Sequence, residues 1–357
     1  MKYSFKIGSV WGIPIELHLT FILLMIGVLV LSYPQFYLFV LVLFLFIFVL
    51  IHELAHSVVA RHYGIQVRKI VLYPIGGVSE IEEIFDNPRV EWRVAIAGPL
   101  TSFAIGGFLL AISRIFTVEV PRTALSSSLS TVGNLTLDLG LLNLLLGAFN
   151  LIPAFPMDGG RVFRAFLAEH MNFSDATKYA SYLGRLLGIV MAIVGFIFPS
   201  YFLLIVVGIF VYIGATEEAE STIVSTTLAR VRVRDVMSSE AATVTLGETL
   251  DEALETMFKA RYHDALVEKD NELLGIVTWD EIMKVKKEQR SLMLIEQLPL
   301  IQAYVLADDA VLEAHKVMLK QRIDLVPVVE KGNLRKILGV LTSEGVALAY
   351  EKAKTLR

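Results

Sequence analysis

The side chains best suited to chemistry lie in the motif HELAH, residues 52–56, close to the end of a long apolar run. On an α-helix the positions i and i+4 share one face, so His52 and His56 can hold one metal ion between their imidazoles. Glu53 would then lie beside the ion, where a carboxylate can take up and release a proton. The alternative is a polar helix end that extends to water, but ionisable groups in such apolar helices are rare and usually functional. The motif therefore predicts a metal site.

A catalytic zinc site needs a third protein ligand besides two histidines and leaves a fourth position for water. The chain has no cysteine, so that ligand must be a histidine, an aspartate or a glutamate. Asp158 is favoured, because the prolines and paired glycines of NLIPAFPMDGGR, residues 150–161, break the helix and can turn its carboxylate back towards the histidines. The alternative role for Asp158 is the N-cap of a helix that begins near Arg161. The full set of candidates is Glu16, His18, Asp86, Asp138, Asp158, Glu169 and His170.

The composition places these motifs in a membrane protein. Hydrophobic residues make up 55% of the 357 residues and charged residues 19%, whereas soluble proteins carry about 25% charged residues. The mean hydropathy is +0.62. The net charge of −4 is too small to indicate a nucleic-acid partner. The first apolar run is closely followed by a second, which favours a retained span over a cleaved signal peptide.

Six apolar runs approach the roughly 20 residues needed to cross a bilayer. Lysine and arginine in the connections lie mostly on one side, and the other side receives only Arg114 and Arg122. Positive charge marks the cytoplasmic side, so both termini and the HELAH end of the second span are predicted to be cytoplasmic. Asp158 follows the fourth span on that same side, whereas Asp138 enters the span from the opposite side. The runs are residues 17–33, 36–60, 93–115, 135–152, 183–198 and 201–215.

Beyond residue 215 the apolar runs shorten and charges become frequent. The sequence thus predicts a polytopic α-helical membrane protein with about six transmembrane helices and a small β-hairpin region, followed by a soluble α+β domain. The hairpin region is VRKIVLYPIGGVSEIEE, residues 67–83, which indicates two short strands. The predicted divisions are a membrane domain at 1–215, a linker at 216–229 and a C-terminal domain at 230–357.

Six spans, HELAH in the second, and N-x-x-P-x-x-P-x-D-G at residues 150–159 after the fourth resemble the site-2 protease family of intramembrane zinc metalloproteases. The segments GIPIELH at 12–18 and AGP at 97–99 are similar to the family as well. The resemblance covers about residues 10–215. One departure is visible, because many members carry an asparagine shortly after the glycine–proline pair, where this chain has Leu-Thr-Ser at 100–102. That departure leaves the role of the third span in substrate binding open.

The resemblance implies that His52, His56 and Asp158 bind zinc and that Glu53 is the catalytic carboxylate. By the same analogy, Asn150 and Pro153 would help to hold the substrate.

The hairpin at residues 67–83 is a candidate for substrate binding, because an exposed strand edge can pair with an extended peptide. Its turn contains Gly76 and Gly77. The resemblance supports this role, since relatives place a small sheet or looped hairpin at this point. The alternative is a surface hairpin that only closes the helix bundle.

The C-terminal domain contains a repeat of about 60 residues, in which residues 244–280 align with 305–344. The aligned anchors include Met257 with Met318, and Gly-Ile-Val-Thr at 275–278 with Gly-Val-Leu-Thr at 339–342. This helix–strand–strand–helix pattern resembles a tandem CBS-domain pair with modules at about 230–288 and 291–352.

CBS pairs usually bind adenine nucleotides, such as ATP, ADP or AMP, between the two modules. The resemblance places Thr278 and Asp280 at the positions that contact phosphate and ribose. Thr342 matches in the second module, where Glu344 replaces the usual aspartate, so one working cleft is expected. The alternative is a ligand-free module that forms a homodimer.

The predicted function is that of an intramembrane zinc endopeptidase with one catalytic Zn²⁺ per chain. Its expected partners are transmembrane protein substrates and membrane lipid, with no nucleic acid, and the CBS pair would regulate proteolysis or mediate a homodimer. The alternative is a CBS-gated transporter or channel with a non-proteolytic metal site. A transporter would be expected to show inverted repeats and paired broken helices, which the sequence does not reveal. A zinc-bearing relative without activity is a third possibility, against which the intact Glu53 argues.

Overall fold

The computed structural model describes residues 3–81, 87–116, 124–270 and 272–355. The chain divides into two units, Met1–Glu220 and Ser221–Arg357. The last helix that begins in the first unit, Leu203–Leu228, runs through most of the stretch that was predicted to be a linker.

The first unit consists of seven helices and four strands within the described ranges. The helices are α1 (Leu19–Ser32), α2 (Tyr37–His62), α3 (Pro88–Phe116), α4 (Ala124–Asn150), α5 (Asp158–Ala168), α6 (Phe173–Ile197) and α7 (Leu203–Leu228). The strands are β1 (Ser4–Val10), β2 (Ile13–His18), β3 (Val67–Tyr73) and β4 (Gly76–Ile81). Each of the six predicted spans falls on one of these helices.

Four helices are long and apolar enough to cross a membrane, within Tyr37–His62, Pro88–Ile115, Val132–Asn150 and Phe173–Ile197. The described part of the chain thus contains four helices that satisfy both conditions, and the predicted count of about six is not confirmed. The first predicted span is shortened because β2 occupies residues 13–18, which leaves α1 with only 14 residues. The last is apolar only in its first half, because α7 continues into the acidic stretch at 216–220.

The four strands form one sheet in the order β1-β2-β3-β4. The predicted hairpin at 67–83 corresponds to the antiparallel pair β3–β4, while residues 82 and 83 lie outside the described residues. A second antiparallel hairpin, β1–β2, joins it through a parallel β2–β3 ladder in which Leu17 lies beside Leu72. Leu72 packs with Phe21 of α1 and with Phe46 and Val49 of α2. This contact fixes the sheet against the helix that carries the HELAH motif.

Helices α6 and α7 approach each other closely at glycine. A Cβ atom added to Gly188 would lie 2.6 Å from the carbonyl oxygen of Gly208, and one added to Gly208 would lie 2.5 Å from that of Gly188. Further along the same pair of helices, Gly184 and Gly214 contact Phe155 and Pro156. The two helices thus pack on the irregular segment that leads to Asp158.

The second unit contains the predicted repeat. The first module has a three-stranded sheet in the order β5-β6-β7, and the second has one in the order β10-β9-β8. In each module the middle strand pairs parallel to one neighbour and antiparallel to the other. The elements are β5 (Thr243–Thr245), α8 (Leu250–Ala260), β6 (Asp264–Lys269), β7 (Glu272–Thr278), α9 (Trp279–Met283), α10 (Lys287–Arg290), β8 (Val305–Leu306), α11 (Val311–Gln321), β9 (Leu325–Glu330), β10 (Asn333–Thr342) and α12 (Ser343–Thr355).

The two modules differ in the first residue of the central strand. Asp264 opens β6 opposite Thr278, whereas Leu325 opens β9 opposite Thr342. Asp264 is buried, and this burial raises the pKa of its carboxyl to about 6. The carboxylate accepts a hydrogen bond from the backbone N–H of Asp324 in the second module. The two modules therefore differ at the residue that begins the central strand.

Candidate metal centre

Three donor atoms from two helices meet at one point in the first unit. Nε2 of His52 lies 3.1 Å from Oδ2 of Asp158, and Nε2 of His56 lies 3.2 Å from the same oxygen. The two imidazole Nε2 atoms are 3.2 Å apart. Both histidines are buried, and the carboxylate is about one fifth exposed. These residues form the one cluster of three or more potential metal ligands in the described part of the chain.

The spacing of the three atoms fits a zinc ion. Ligand atoms at the usual zinc bond lengths of about 2.0–2.1 Å are separated by about 3.3–3.4 Å in a tetrahedron. The observed separations of 3.1–3.2 Å are close to this value. Two imidazoles and one carboxylate are also a donor set that catalytic zinc sites use, with one position left for water.

The second nitrogen of each imidazole has a partner that orients the ring. Nδ1 of His56 donates to the backbone carbonyl of Val94 at 2.7 Å, so that in the neutral ring Nε2 is the nitrogen whose lone pair can bind a metal. Nδ1 of His52 shares a hydrogen bond of 2.8 Å with the hydroxyl of Ser102. Both partners belong to α3. Ser102 lies in the stretch where the sequence departs from many site-2 proteases, so in this chain a serine supports the first histidine.

Gly98 of α3 lies directly against the two imidazoles. A Cβ atom at this position would lie 2.2 Å from Nε2 of His56 and 2.5 Å from Nε2 of His52. Any side chain would therefore occupy the space between the donor atoms. This contact explains the glycine in the AGP stretch, which the sequence alone marked only as a point of resemblance.

Asp158 is the first residue of α5 and does not cap it. The N-cap is Met157, and no side-chain cap hydrogen bond is present there. The helix can begin so abruptly because Gly159 and Gly160 pack against the preceding backbone, where added Cβ atoms would lie 2.3 Å and 2.5 Å from atoms of Ile152 and Phe155. The alternative role of Asp158 as an N-cap is therefore wrong, and its carboxylate contacts the histidines instead.

Glu53 lies beside the three donors and is held by the sheet. Its Oε2 accepts a hydrogen bond of 2.6 Å from the hydroxyl of Ser79 in β4. Gly77, on the same strand, lies so close that an added Cβ would be 2.5 Å from Cγ of Glu53. The sequence did not predict the role of Ser79, because no local pattern links a serine to a glutamate that lies 26 positions away in the chain.

A cavity of about 250 Å³ contains the three donors and Glu53. Of the predicted substrate-binding residues, Asn150 and Gly77 line it. Gly76 lies next to a lining residue, and Pro153 is exposed and outside the lining. Because β4 is the last strand of its sheet, its outer edge has no strand partner in the described residues. The lining residues are His52, Glu53, His56, Gly77, Val78, Ser79, Ile81, Glu91, Val94, Ala95, Asn150, Pro156, Asp158, Arg161, Arg164, Phe173 and Glu218.

Three other candidates for the third ligand have partners elsewhere. Glu16 contacts Lys69 at 2.9 Å, and its pKa is lowered by the hydroxyl of Ser4 and by this lysine. His18 accepts the N–H of Thr20 as the N-cap of α1. The carboxylate of Asp138 accepts a hydrogen bond of 2.7 Å from the hydroxyl of Tyr37.

The remaining candidates also lie away from the cluster or beyond the described residues. Glu169 is exposed and lies 3.7 Å from Arg89, and His170 is exposed just after α5. Asp86 lies outside the described residues.

The residues expected to bind a nucleotide lie where β7 and β10 end. The hydroxyl of Thr278 accepts the N–H of Glu281 at 3.3 Å, and that of Thr342 accepts the N–H of Gly345 at 3.0 Å. Both threonines are buried, whereas Asp280 is exposed. Each hydroxyl keeps its own hydrogen to donate to a ligand.

Two family models match the chain. Peptidase family M50 matches residues 40–137 and 118–192, and the CBS domain matches residues 233–288 and 298–352. The first match includes all three donors and Glu53. The second matches each half of the repeat.

The chain is similar to one curated protein over most of its length and to two solved structures over shorter stretches. The zinc metalloprotease MJ0392 of Methanocaldococcus jannaschii is 38% identical over 340 residues, covering 95% of this chain and 94% of that protein. The solved structure of a site-2 protease from Methanocaldococcus jannaschii is 42% identical and covers 61% of this chain and 95% of that chain, with a TM-score of 0.47. The CBS-domain pair of protein MJ0100, solved in complex with 5-methylthioadenosine and S-adenosyl-L-methionine, is 23% identical, covering 34% of this chain and 97% of that chain with a TM-score of 0.31.

We predict that Gly98→Ala abolishes metal binding at this cluster, because the new methyl group would lie within 2.5 Å of both imidazole Nε2 atoms. The matched control is Gly107→Ala in the same helix, where an added Cβ meets no atom within 4 Å. The measurement is zinc per chain, by elemental analysis of detergent-purified protein. Equal zinc in wild type and Gly98→Ala would show that the metal is not bound between these atoms.

Proposed function

We propose that this chain, which belongs to peptidase family M50 and is a zinc metalloprotease, cuts peptide bonds within or near the transmembrane helices of membrane-protein substrates. Such a reaction is regulated intramembrane proteolysis when it releases part of the substrate. The observation that carries the proposal is the cavity in which His52, His56 and Asp158 converge beside Glu53. Membership of a peptidase family favours hydrolysis over a CBS-gated transporter or channel.

His52, His56 and Asp158 are the proposed zinc ligands. Zinc held there would act as a Lewis acid on the scissile carbonyl and bring the pKa of a bound water to about 7. The Nδ1 contacts to Ser102 and Val94 keep the imidazoles oriented for this task.

Glu53 is the proposed general base and acid. It removes one proton from the attacking water, whose oxygen forms a bond to the carbonyl carbon of the substrate. When the carbon–nitrogen bond breaks, Glu53 returns the proton to the leaving amine. The hydrogen bond from Ser79 holds the carboxylate in place between these two transfers.

The outer edge of β4 is the proposed binding site for an unwound substrate. A transmembrane helix satisfies its own backbone hydrogen bonds, so its carbonyls open to attack only if other partners replace them. An unpaired strand edge supplies such partners. Gly77, Val78 and Ser79 of β4 line the cavity that contains Glu53, and Asn150 lines it as well. Pro153 and Gly76 remain predicted substrate contacts by analogy.

The proposed topology has six membrane segments, with α1 and the apolar first half of α7 added to the four helices of spanning length. Both termini and the active-site end face the cytoplasm. This orientation is supported by the excess of lysine and arginine in the connections on that side.

The CBS pair is proposed to bind an adenine nucleotide through Thr278 and Asp280, with Thr342 contributing from the second module. The nucleotide would then regulate access of the substrate to the protease. A homodimer formed through the same domain is the alternative role. The difference between Asp280 and Glu344 favours one functional cleft.

Glu53→Gln is expected to keep its zinc and to lose cleavage by a factor of about 10²–10⁴, because the proton acceptor is removed. Asp158→Ala is expected to lose the zinc, whereas the control Asp138→Ala, whose carboxylate contacts Tyr37, keeps it. Zinc content and cleavage of a panel of transmembrane segments are measured together. Retention of zinc in Asp158→Ala would refute the proposed ligand set.

A proline scan around the scissile bond of a cleaved substrate tests the role of β4. Proline lacks the N–H that a paired strand donates, and strand hydrogen bonds to one neighbour recur at every second residue. We therefore expect cleavage to fall at alternate positions of the scan. A uniform loss or gain over consecutive positions, as expected if proline only unwinds the helix, would argue against strand addition.

ATP, ADP and AMP are expected to bind the full-length protein, and Asp280→Ala to weaken that binding about tenfold or more by removing a charged hydrogen-bond acceptor. Glu344→Ala, at the matching position of the second module, is the control and is expected to bind as the wild type does. Equilibrium binding and cleavage rates with and without nucleotide are the measurements. Equal cleavage rates under both conditions would contradict nucleotide regulation.

A further inference from the structure

One wall of the catalytic cavity contains a buried cluster of charges that the chemistry above does not use. Arg164 of α5 is 7% exposed and Glu91 of α3 is 4% exposed. Nε of Arg164 donates to Oε1 of Glu91 at 2.8 Å, and a second guanidinium nitrogen donates to the same oxygen. A third nitrogen of the guanidinium contacts Glu218 of α7 at 3.3 Å.

Two aromatic rings complete the surroundings of this guanidinium. Its central carbon lies 4.9 Å from the ring centre of Phe155 and 4.7 Å from that of Phe173. Phe155 is fully buried and lies three residues before Asp158, while Phe173 begins α6. Arg164, which follows Asp158 in the chain, therefore contacts the segment that precedes Asp158. We call Arg164, Glu91, Glu218, Phe155 and Phe173 the Arg164 cluster.

The Arg164 cluster connects the segments that carry the two halves of the metal centre. Glu91 lies one helical turn before Val94, whose carbonyl accepts the hydrogen bond from His56. A further turn along α3 brings Gly98 against both imidazoles. On the other side, Arg164 shares α5 with Asp158. A helix is stiff over two turns, and the Glu91–Arg164 contact joins α3 to α5 within two turns of Gly98 on one helix and of Asp158 on the other.

A buried ion pair is a poor source of stability. The cost of removing two charges from water often exceeds their attraction, and apolar residues of similar shape commonly replace such a pair without loss of stability. What the pair does supply is a fixed geometry, because the planar guanidinium accepts few orientations between two rings and a carboxylate. The second oxygen of Glu91 makes no hydrogen bond to any described atom, which indicates that burial of this carboxylate is not optimised for stability.

We propose that Arg164 is a positioning residue of the metal centre, which sets the distance between the Asp158 carboxylate and the imidazoles of His52 and His56 through its contact with Glu91. The proposal rests on the proposed function, because it takes these three residues to be the zinc ligands. It predicts that loss of the pair weakens zinc binding while the helices remain packed.

The test is the double variant Glu91→Leu with Arg164→Met, which replaces the ion pair by apolar side chains of similar size. Glu218 keeps a cation in this variant, since Arg161 lies 3.8 Å from it. The control is Arg89→Met, which removes an arginine of α3 that is 78% exposed and lies 3.7 Å from Glu169 at the end of α5. Zinc affinity of the full chain in detergent is measured by competition with a chelator, and the visible absorption of bound Co²⁺ reports the coordination geometry. Thermal unfolding of the zinc-free proteins reports packing.

We expect the zinc dissociation constant of the double variant to rise about tenfold to a hundredfold, which is the usual effect of changing the residues that orient metal ligands. The Co²⁺ spectrum should change, while the melting temperature without zinc stays close to that of the wild type. Arg89→Met should match the wild type in all three measurements. A folded double variant that binds zinc as the wild type does would overturn the proposal.

A second variant covers the case in which the double variant does not fold. Arg164→Lys keeps the charge but loses the planar fork and the contact with both rings. Its zinc dissociation constant is expected to rise at least threefold, and an unchanged constant would overturn the proposal. If the wild type itself binds no zinc, the proposed function fails together with the positioning role. If the wild type binds zinc and the variants bind it equally well, only the positioning role fails.

Discussion

The structure depends on bringing three polar donor atoms to within 3.2 Å of one another in a bundle of apolar helices. Without a shared cation such a cluster is costly, because buried polar groups lose their contacts with water. A zinc ion at the proposed site would offset that cost, and only with all three donors at bonding distance. The surrounding helices and the sheet hold the backbone where this distance is met.

Close approach of the backbone is achieved by glycine at several points around the cavity. Gly98 lets α3 reach the imidazoles, Gly77 lets β4 reach Glu53, and the Gly159–Gly160 pair lets α5 begin against the segment before it. In each case a Cβ atom would lie less than 2.6 Å from a neighbouring atom. The metal centre therefore constrains the amino-acid sequence well beyond the residues that offer a donor atom.

The sheet connects the start of the chain to the candidate metal centre. Its strand β4 contacts Glu53 through Ser79, while β1 and β2 come from the start of the chain and reach β4 through β3. The polar contact between Lys69 and Glu16 joins β3 to β2, and the hydrogen bond that this lysine donates to Glu16 raises the pKa of Lys69. Any change in β1 or β2 can thus alter the position of the strand beside Glu53, the proposed catalytic carboxylate.

The sequence by itself determined the features that are visible as local patterns of residues along the chain. The resemblance to site-2 proteases rested on the i, i+4 spacing of HELAH, the proline and glycine pattern before Asp158, and the apolar runs. The resemblance to CBS pairs rested on the C-terminal repeat. The family models and the curated relative confirm the resemblance. Only the tertiary structure decided that residues 4–18 join the β3–β4 hairpin in one sheet, which leaves α1 with 14 residues and outside the four described helices that are long and apolar enough to span a membrane. It also revealed the partners of the active site, since Ser79, Val94 and Ser102 lie 26, 38 and 50 positions from the groups that they contact. Such contacts leave no local pattern, because they arise from the packing of segments that are distant in the chain.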